Sequence, residues 1–159
     1  PPPRRDEKSM PPILFYALRA VHLLAMAIWF GGSLTIAGDV RRTISRGKPH
    51  TDILAARIER SLGIGAVAAT LTLLTGLGMI FAQGGFGAIS PRIHAGFALA
   101  LVVFAVELLG LRPTVAKLGH TLANGEAKDL KPLQARIAMF TGIGHLLKLV
   151  ILCLMVFKL

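Results

Sequence analysis

Apolar residues in this chain come in long blocks separated by short polar stretches. The blocks run from about Ile13 to Gly38, Leu62 to Ala82, Ile93 to Leu111 and Ile137 to Phe157. Each approaches the ~20 apolar residues that a helix needs to cross ~30 Å of hydrocarbon. The pattern predicts an all-α, integral membrane four-helix bundle with short loops, its spans at about 13–38, 62–82, 92–111 and 136–158. Residues 1–12, Pro-rich and charged, read as a flexible tail, and 13–159 as one membrane domain with no soluble catalytic domain attached.

Local signals refine the blocks. Arg19 interrupts the first one and can snorkel to the outer interface, so the hydrocarbon segment begins near Ala20. Asp52 to Leu62 reads as a helical extension leading into the second span. Gly84-Gly85-Phe86-Gly87 is a short outer turn. Ser90-Pro91 is a helix start with Ser capping and Pro in the first position. Pro113 falls just past the end of the third span, and Asn124-Gly125 marks a turn. The first block is too long for a signal peptide, and Asp39-Val40-Arg41-Arg42 follows it instead of a small-residue cleavage site. A beginning at Pro-Pro-Pro reads as a trimmed or processed start.

The formal charge of +10 would raise nucleic acid as a partner in a soluble protein. Here it is topological. Arg41, Arg42, Arg46, Lys48, Arg57 and Arg60 lie between spans one and two, and Arg112, Lys117, Lys128, Lys131 and Arg136 lie between or beside spans three and four. The loop between spans two and three offers only Arg92. Lys and Arg accumulate in cytoplasmic loops, so both basic loops are placed inside and both termini outside, against the weaker signal of Arg4, Arg5 and Lys8. This predicts a multi-pass protein of the bacterial inner membrane whose first partner is the lipid bilayer; nucleic acid is not expected. The single cysteine, Cys153, allows no intrachain disulfide and no cysteine metal cage, and reads as a small apolar residue.

Three histidines fall inside apolar blocks: His22, His94 and His145. An ionisable residue inside a membrane is costly and marks a functional-site hypothesis. At ~1.5 Å per residue, His22 and His94 both lie near the outer end of their spans, while His145 sits roughly 12 Å from the inner end of the fourth. His22 and His94 are therefore the matched pair for two axial positions on one iron. His145 is the third candidate metal ligand, or holds a propionate or marks a proton path. Met26 and Trp29 share the His22 stripe, and Lys148 follows His145 by three. Lys148 is expected to pair with a propionate or with Glu107, and Glu107 with Arg42 or Arg112 as alternatives. His50 and His120 lie in polar loops and read as solvated. Small residues at Gly31, Gly32, Gly65, Ala69, Thr72, Gly76 and Gly142 read mainly as close helix packing. No Gly-rich phosphate loop, Ser-His-Asp pattern or HExxH motif is present.

The stretch Arg19-Ala20-Val21-His22-Leu23, followed by Trp29-Phe30-Gly31-Gly32, resembles the first helix of the HemJ family of membrane protoporphyrinogen oxidases. It is also similar to the His…Trp helix of the CopD family of copper-resistance membrane proteins. Thr70-Leu71-Thr72 through Gly76-Leu77-Gly78-Met79-Ile80 and Ile93-His94 are similar in style to the second and third HemJ helices. The resemblance implies a four-helix core binding haem b, with His22 an axial ligand and Arg19 at the outer edge. Two departures stand out. Gly96 occupies a position where the HemJ pattern has Lys, and the fourth helix adds His145 and Lys148.

The leading expectation is a haem b electron-transfer protein with one haem per chain. His22 and His94 would ligate the iron, with His145, Lys148, Met26, Trp29 and Arg19 supporting, and quinone or porphyrin as the small-molecule partner. Iron held by two imidazoles has no open position and suits electron transfer. The alternatives are a protoporphyrinogen oxidase, a CopD-like copper transporter using His22 and Met26, and a structural subunit of a larger respiratory complex. A homodimer is a further expectation.

Overall fold

The structure, a computed structural model, describes residues 10–125 and 130–156. Most of the expected tail, Lys128 and the end of the fourth block at Phe157 lie outside the described residues. The described chain is helical, without strands. It forms α1 (Pro12–Ser33), α2 (Ile36–Arg46), α3 (Leu54–Ala82), α4 (Pro91–Val106), α5 (Arg112–Asn124) and α6 (Leu130–Val156). Short 3-10 turns at His50–Ile53 and Phe86–Ala88 precede α3 and α4. Among the described residues, four helical segments are long and apolar enough to cross a membrane: Pro12–Arg46, His50–Ala82, Pro91–Asn124 and Leu130–Val156.

These segments are longer than the apolar blocks: the helical extension read at Asp52 to Leu62 is present, and the other polar stretches, at α2 and α5, are helical where short loops are expected. After a break at Leu34 and Thr35, α2 turns Ile36, Val40 and Thr43 inward. The chain does not stop at Pro113. Glu107–Leu111 forms a π-helical turn, closed by the Arg112 N–H on the Glu107 carbonyl, and α5 starts immediately after it. Pro113 then occupies the first turn of a new helix, where its missing N–H costs nothing. Wide i→i+5 turns of this kind recur at functional sites. Gly110 inside the turn is required by packing: a Cβ there would lie 2.7 Å from Phe140 Cε1 of α6. α5 ends as expected at Gly125, whose φ of +72° favours glycine. Ser90 stands at the α4 N-cap with Pro91 after it, but its side chain does not cap. Its hydroxyl instead accepts from Arg92 Nε at 3.2 Å.

α1 packs most closely on α3, and α4 on α6. The two pairs are joined at the basic end by a core of Ile36, Val40, Leu54, Ile58, Leu62, Leu111, Val115, Leu118, Leu133 and Ile137. This core is built largely from the helical extensions that the apolar blocks do not include. A second, smaller core around Trp29, Ala69, Ala100, Val103 and Ile151 lies nearer the opposite end. The outward faces are rich in exposed Leu, Ile and Val, including Leu24, Val67, Leu74, Leu109 and Leu146. So much contiguous apolar surface is untypical of a monomer in water.

Candidate functional site

Between the two helix pairs, away from the basic end, lies a cavity of about 130 Å³ bounded by α1, α3, α4 and α6. That is below the usual ~300–1,000 Å³ of ligand sites, so a large ligand would require the lining side chains to part. Its wall is mostly apolar, and its chemistry comes from few side chains: His22, Met26 and Trp29 of α1, Thr72 and Met79 of α3, Gln83 just past the end of α3, and Met155 of α6. From α4 it takes Ile93, Gly96, Phe97 and Ala100, a stripe at helical spacing.

The His22 ring is fixed by α3. Its Nδ1 lies 3.0 Å from the Thr72 carbonyl and 3.0 Å from Thr75 Oγ1. Thr75 donates its own hydroxyl hydrogen to the Leu71 carbonyl at 2.6 Å. Both groups facing Nδ1 therefore present lone pairs, and the neutral ring satisfies them by carrying its hydrogen on Nδ1. Nε2 is left as the lone-pair nitrogen, and no hydrogen bond engages it among the described residues. A backbone carbonyl holding one ring nitrogen while the other stays open is the usual arrangement behind a metal-ligating histidine. Gly76 makes room for the ring, since a Cβ there would lie 3.2 Å from His22 Cε1. Gly96 does the same for Met155, whose Cε would meet an added Cβ at 2.5 Å.

Trp29, 2% exposed, closes the cavity toward the basic end. Its Nε1 donates to Glu107 Oε2 at 2.6 Å. Glu107 Oε1 in turn accepts from Lys148 Nζ at 2.6 Å. Lys148 is 1% exposed, and all three of its N–H donors are used: the other two go to Ser33 Oγ at 2.9 Å and the Trp29 carbonyl at 3.2 Å. The ammonium also lies 4.9 Å from the Trp29 ring centroid, within cation–π range. Ser33 Oγ lies 3.2 Å from His145 Nε2. A hydrogen-bonded chain thus runs from Glu107 through Lys148 and Ser33 to His145, joining α1, α6 and the π turn. Glu107 and Arg112 also border a second, much smaller cavity, of about 20 Å³, on the far side of Trp29.

The expected site residues therefore fall into groups. His22, Met26 and Trp29 share the cavity. His145 and Lys148 belong to the polar chain behind Trp29, where Lys148 takes Glu107 as its partner. Arg19 is exposed on α1, outside the cavity wall. His94 is exposed too: its Nδ1 donates to the Ser90 carbonyl at 3.1 Å and its ring lies 5.9 Å from that of Phe86. Ile93 and Phe97 face the cavity, and His94, one residue round the helix, does not line it. No group of three or more His, Cys, Asp or Glu side chains gathers around a metal position among the described residues. Sequence reading missed Met79, Met155, Thr72, Thr75 and Ser33. The two methionines were detectable in principle, because both lie near the ends of their apolar blocks, at the level estimated for His22.

Comparison of the chain with protein-family models, with curated proteins and with solved structures finds no match.

Proposed function

We propose that the chain is a multi-pass protein of the bacterial inner membrane, with both basic segments on the cytoplasmic side, that binds one haem b in the cavity and transfers electrons. The observation that carries this reading is His22: a ring held through Nδ1, with an unengaged Nε2, on the wall of an apolar cavity that a haem would have to widen. The apolar, aromatic lining fits a macrocycle, and Gly76 and Gly96 keep side chains out of its way. The resemblance of the first helix to that of HemJ proteins agrees with it.

His22 would hold the iron, and Met26, Met79 and Met155, which share its cavity, would be the candidate partners in place of the His94 expected from the sequence. A His/Met pair raises the reduction potential relative to two imidazoles. Bound haem supplies one-electron redox chemistry. The protein supplies the imidazole, an apolar environment that excludes water, and Trp29 as the wall toward the Glu107–Lys148 pair. Quinone remains the proposed exchange partner.

Three thioethers around one imidazole favour a second reading, a Cu(I) site in a CopD-like transporter, because thioether and imidazole both bind copper. One preparation separates the two. Protein purified from haem-sufficient, copper-supplemented cells is analysed by pyridine haemochrome and by elemental analysis. The haem reading expects a b-type spectrum near one haem per chain, lost in His22→Ala and retained in His94→Ala. Colourless, iron-free protein overturns it, and stoichiometric copper that depends on His22 and the methionines replaces it with the second reading.

A further inference from the structure

At the basic end, where α2 packs beside the start of α6, an open groove of about 500 Å³ lies between the two helices. Its floor is made of small side chains, Ala37 and Gly38 from α2 and Ala135 and Ala138 from α6. Cations stand on both sides: Arg41 from α2 and Lys131 from α6, with the Gln134 amide beside Lys131. Arg42 does not line the groove, but its Nη2 lies 3.6 Å from where a Cβ on Gly38 would sit. Among the described residues, no acidic side chain lines the groove.

The groove sits at the boundary between the basic extensions and the apolar spans. Gly142 and Leu149 continue the Ala138 stripe along α6 at helical spacing, and both are exposed. Leu34, one turn before Ala37 and Gly38, is exposed beside them. Around Gly142, and around Gly31 of α1, an added Cβ would meet nothing within 4 Å. A basic pocket therefore opens onto an apolar track with free space along it. An anion with a long apolar tail matches both halves, and a free anion matches only the first.

We propose that this groove is a binding site for an anionic phospholipid. Its phosphate lies between Arg41 and Lys131, and an acyl chain runs past Ala138 and Gly142 along α6. Basic pockets between helices at the cytoplasmic end of membrane spans are suited to anionic headgroups. The small floor residues let the phosphate approach the helices closely enough to meet both cations. The proposal is independent of what the other cavity holds.

The test is native mass spectrometry of the full chain in detergent, titrated separately with phosphatidylglycerol and phosphatidylcholine. Phosphatidylglycerol should be retained in preference. Arg41→Gln and Lys131→Gln should each lower its retention about fivefold and together about thirtyfold, at roughly the strength of one surface cation each. Both side chains are exposed, so these variants keep the fold, and Trp29 fluorescence checks it. Arg46→Gln with Lys48→Gln removes the same charge outside the groove and should leave retention unchanged. Gly142→Leu should lower retention with every cation in place. Equal loss in the control pair, equal retention of phosphatidylcholine, or displacement of the lipid by inorganic phosphate alone overturns the proposal.

Discussion

Replacing Lys148 by methionine isolates what the buried ion pair contributes. The substitution keeps the side chain's length and deletes three hydrogen bonds, to Glu107, Ser33 and the Trp29 carbonyl. Glu107, its side chain only 16% exposed, keeps Trp29 Nε1 as its remaining donor. Breaking one side of a buried pair typically costs about 3–5 kcal/mol, because the other charge stays behind uncompensated. The surviving Trp29 bond, together with the option of protonating Glu107, puts Lys148→Met near the lower limit, about 3 kcal/mol. That corresponds to a shift of about two orders of magnitude in the folding equilibrium.

Glu107→Leu alone should cost a similar amount by stranding Lys148. The double variant should cost less than either single one, since a well-packed apolar replacement of a buried pair is often close to neutral. A double-mutant cycle measured by reversible unfolding in mixed micelles should therefore give a coupling above about 3 kcal/mol. Single substitutions costing less than about 1 kcal/mol, or a double variant costing the sum of the two, would refute the view that these charges depend on each other.

Two further outcomes follow from local geometry. Gly96→Ala puts a methyl group 2.5 Å from Met155 Cε and must push that side chain into the cavity. Cofactor occupancy, read as bound haem or metal per chain, should fall by at least an order of magnitude, whereas Gly31→Ala, in open space, should leave it unchanged. Asp39→Ala breaks the 2.7 Å bridge to Arg57, whose side chains are 46% and 36% exposed for Arg57 and Asp39 respectively. Water and salt already screen this pair, so thermal unfolding should show a loss of less than about 1 kcal/mol that shrinks as ionic strength rises.

The four long helices were legible because crossing hydrocarbon is a matter of length and composition, and both can be counted along the chain. The extension at Asp52 to Leu62 was legible too, but those forming α2 and α5 do not follow from the same signal. Ile36, Val40 and Ile44 in α2, and Val115, Leu118 and Leu122 in α5, carry a clear helical period. They sit among Arg, Lys, Thr and His, where mean hydropathy is low and the charges invite a topological reading. Pro113 reinforced the apparent stop. It fails to end the segment because the π turn before it has already reset the hydrogen-bond register, so proline falls in a first turn that tolerates it.

Which way each histidine faces was the harder question. In a helix apolar on every side, periodicity distinguishes no inner face, and one residue of sequence rotates a side chain by about 100°. Depth alone therefore paired His22 with His94. The polar residues themselves hold the missing information, if read as stripes and not as single depths. His22, Met26, Trp29 and Ser33 recur at i, i+4, i+7 and i+11 on α1, and that is the face meeting the cavity and the Lys148 chain. A polar residue deep in an apolar helix has no exit except inward, toward a partner. His94 stands in the first turn after Pro91, with the Ser90 carbonyl within reach and an exposed position at the helix end, so it has no such constraint. Distance from the nearest helix end thus decides how much a polar side chain reveals about the bundle interior. By that measure His22, ten residues inside α1, is the stronger marker of a site, and His94 the weaker.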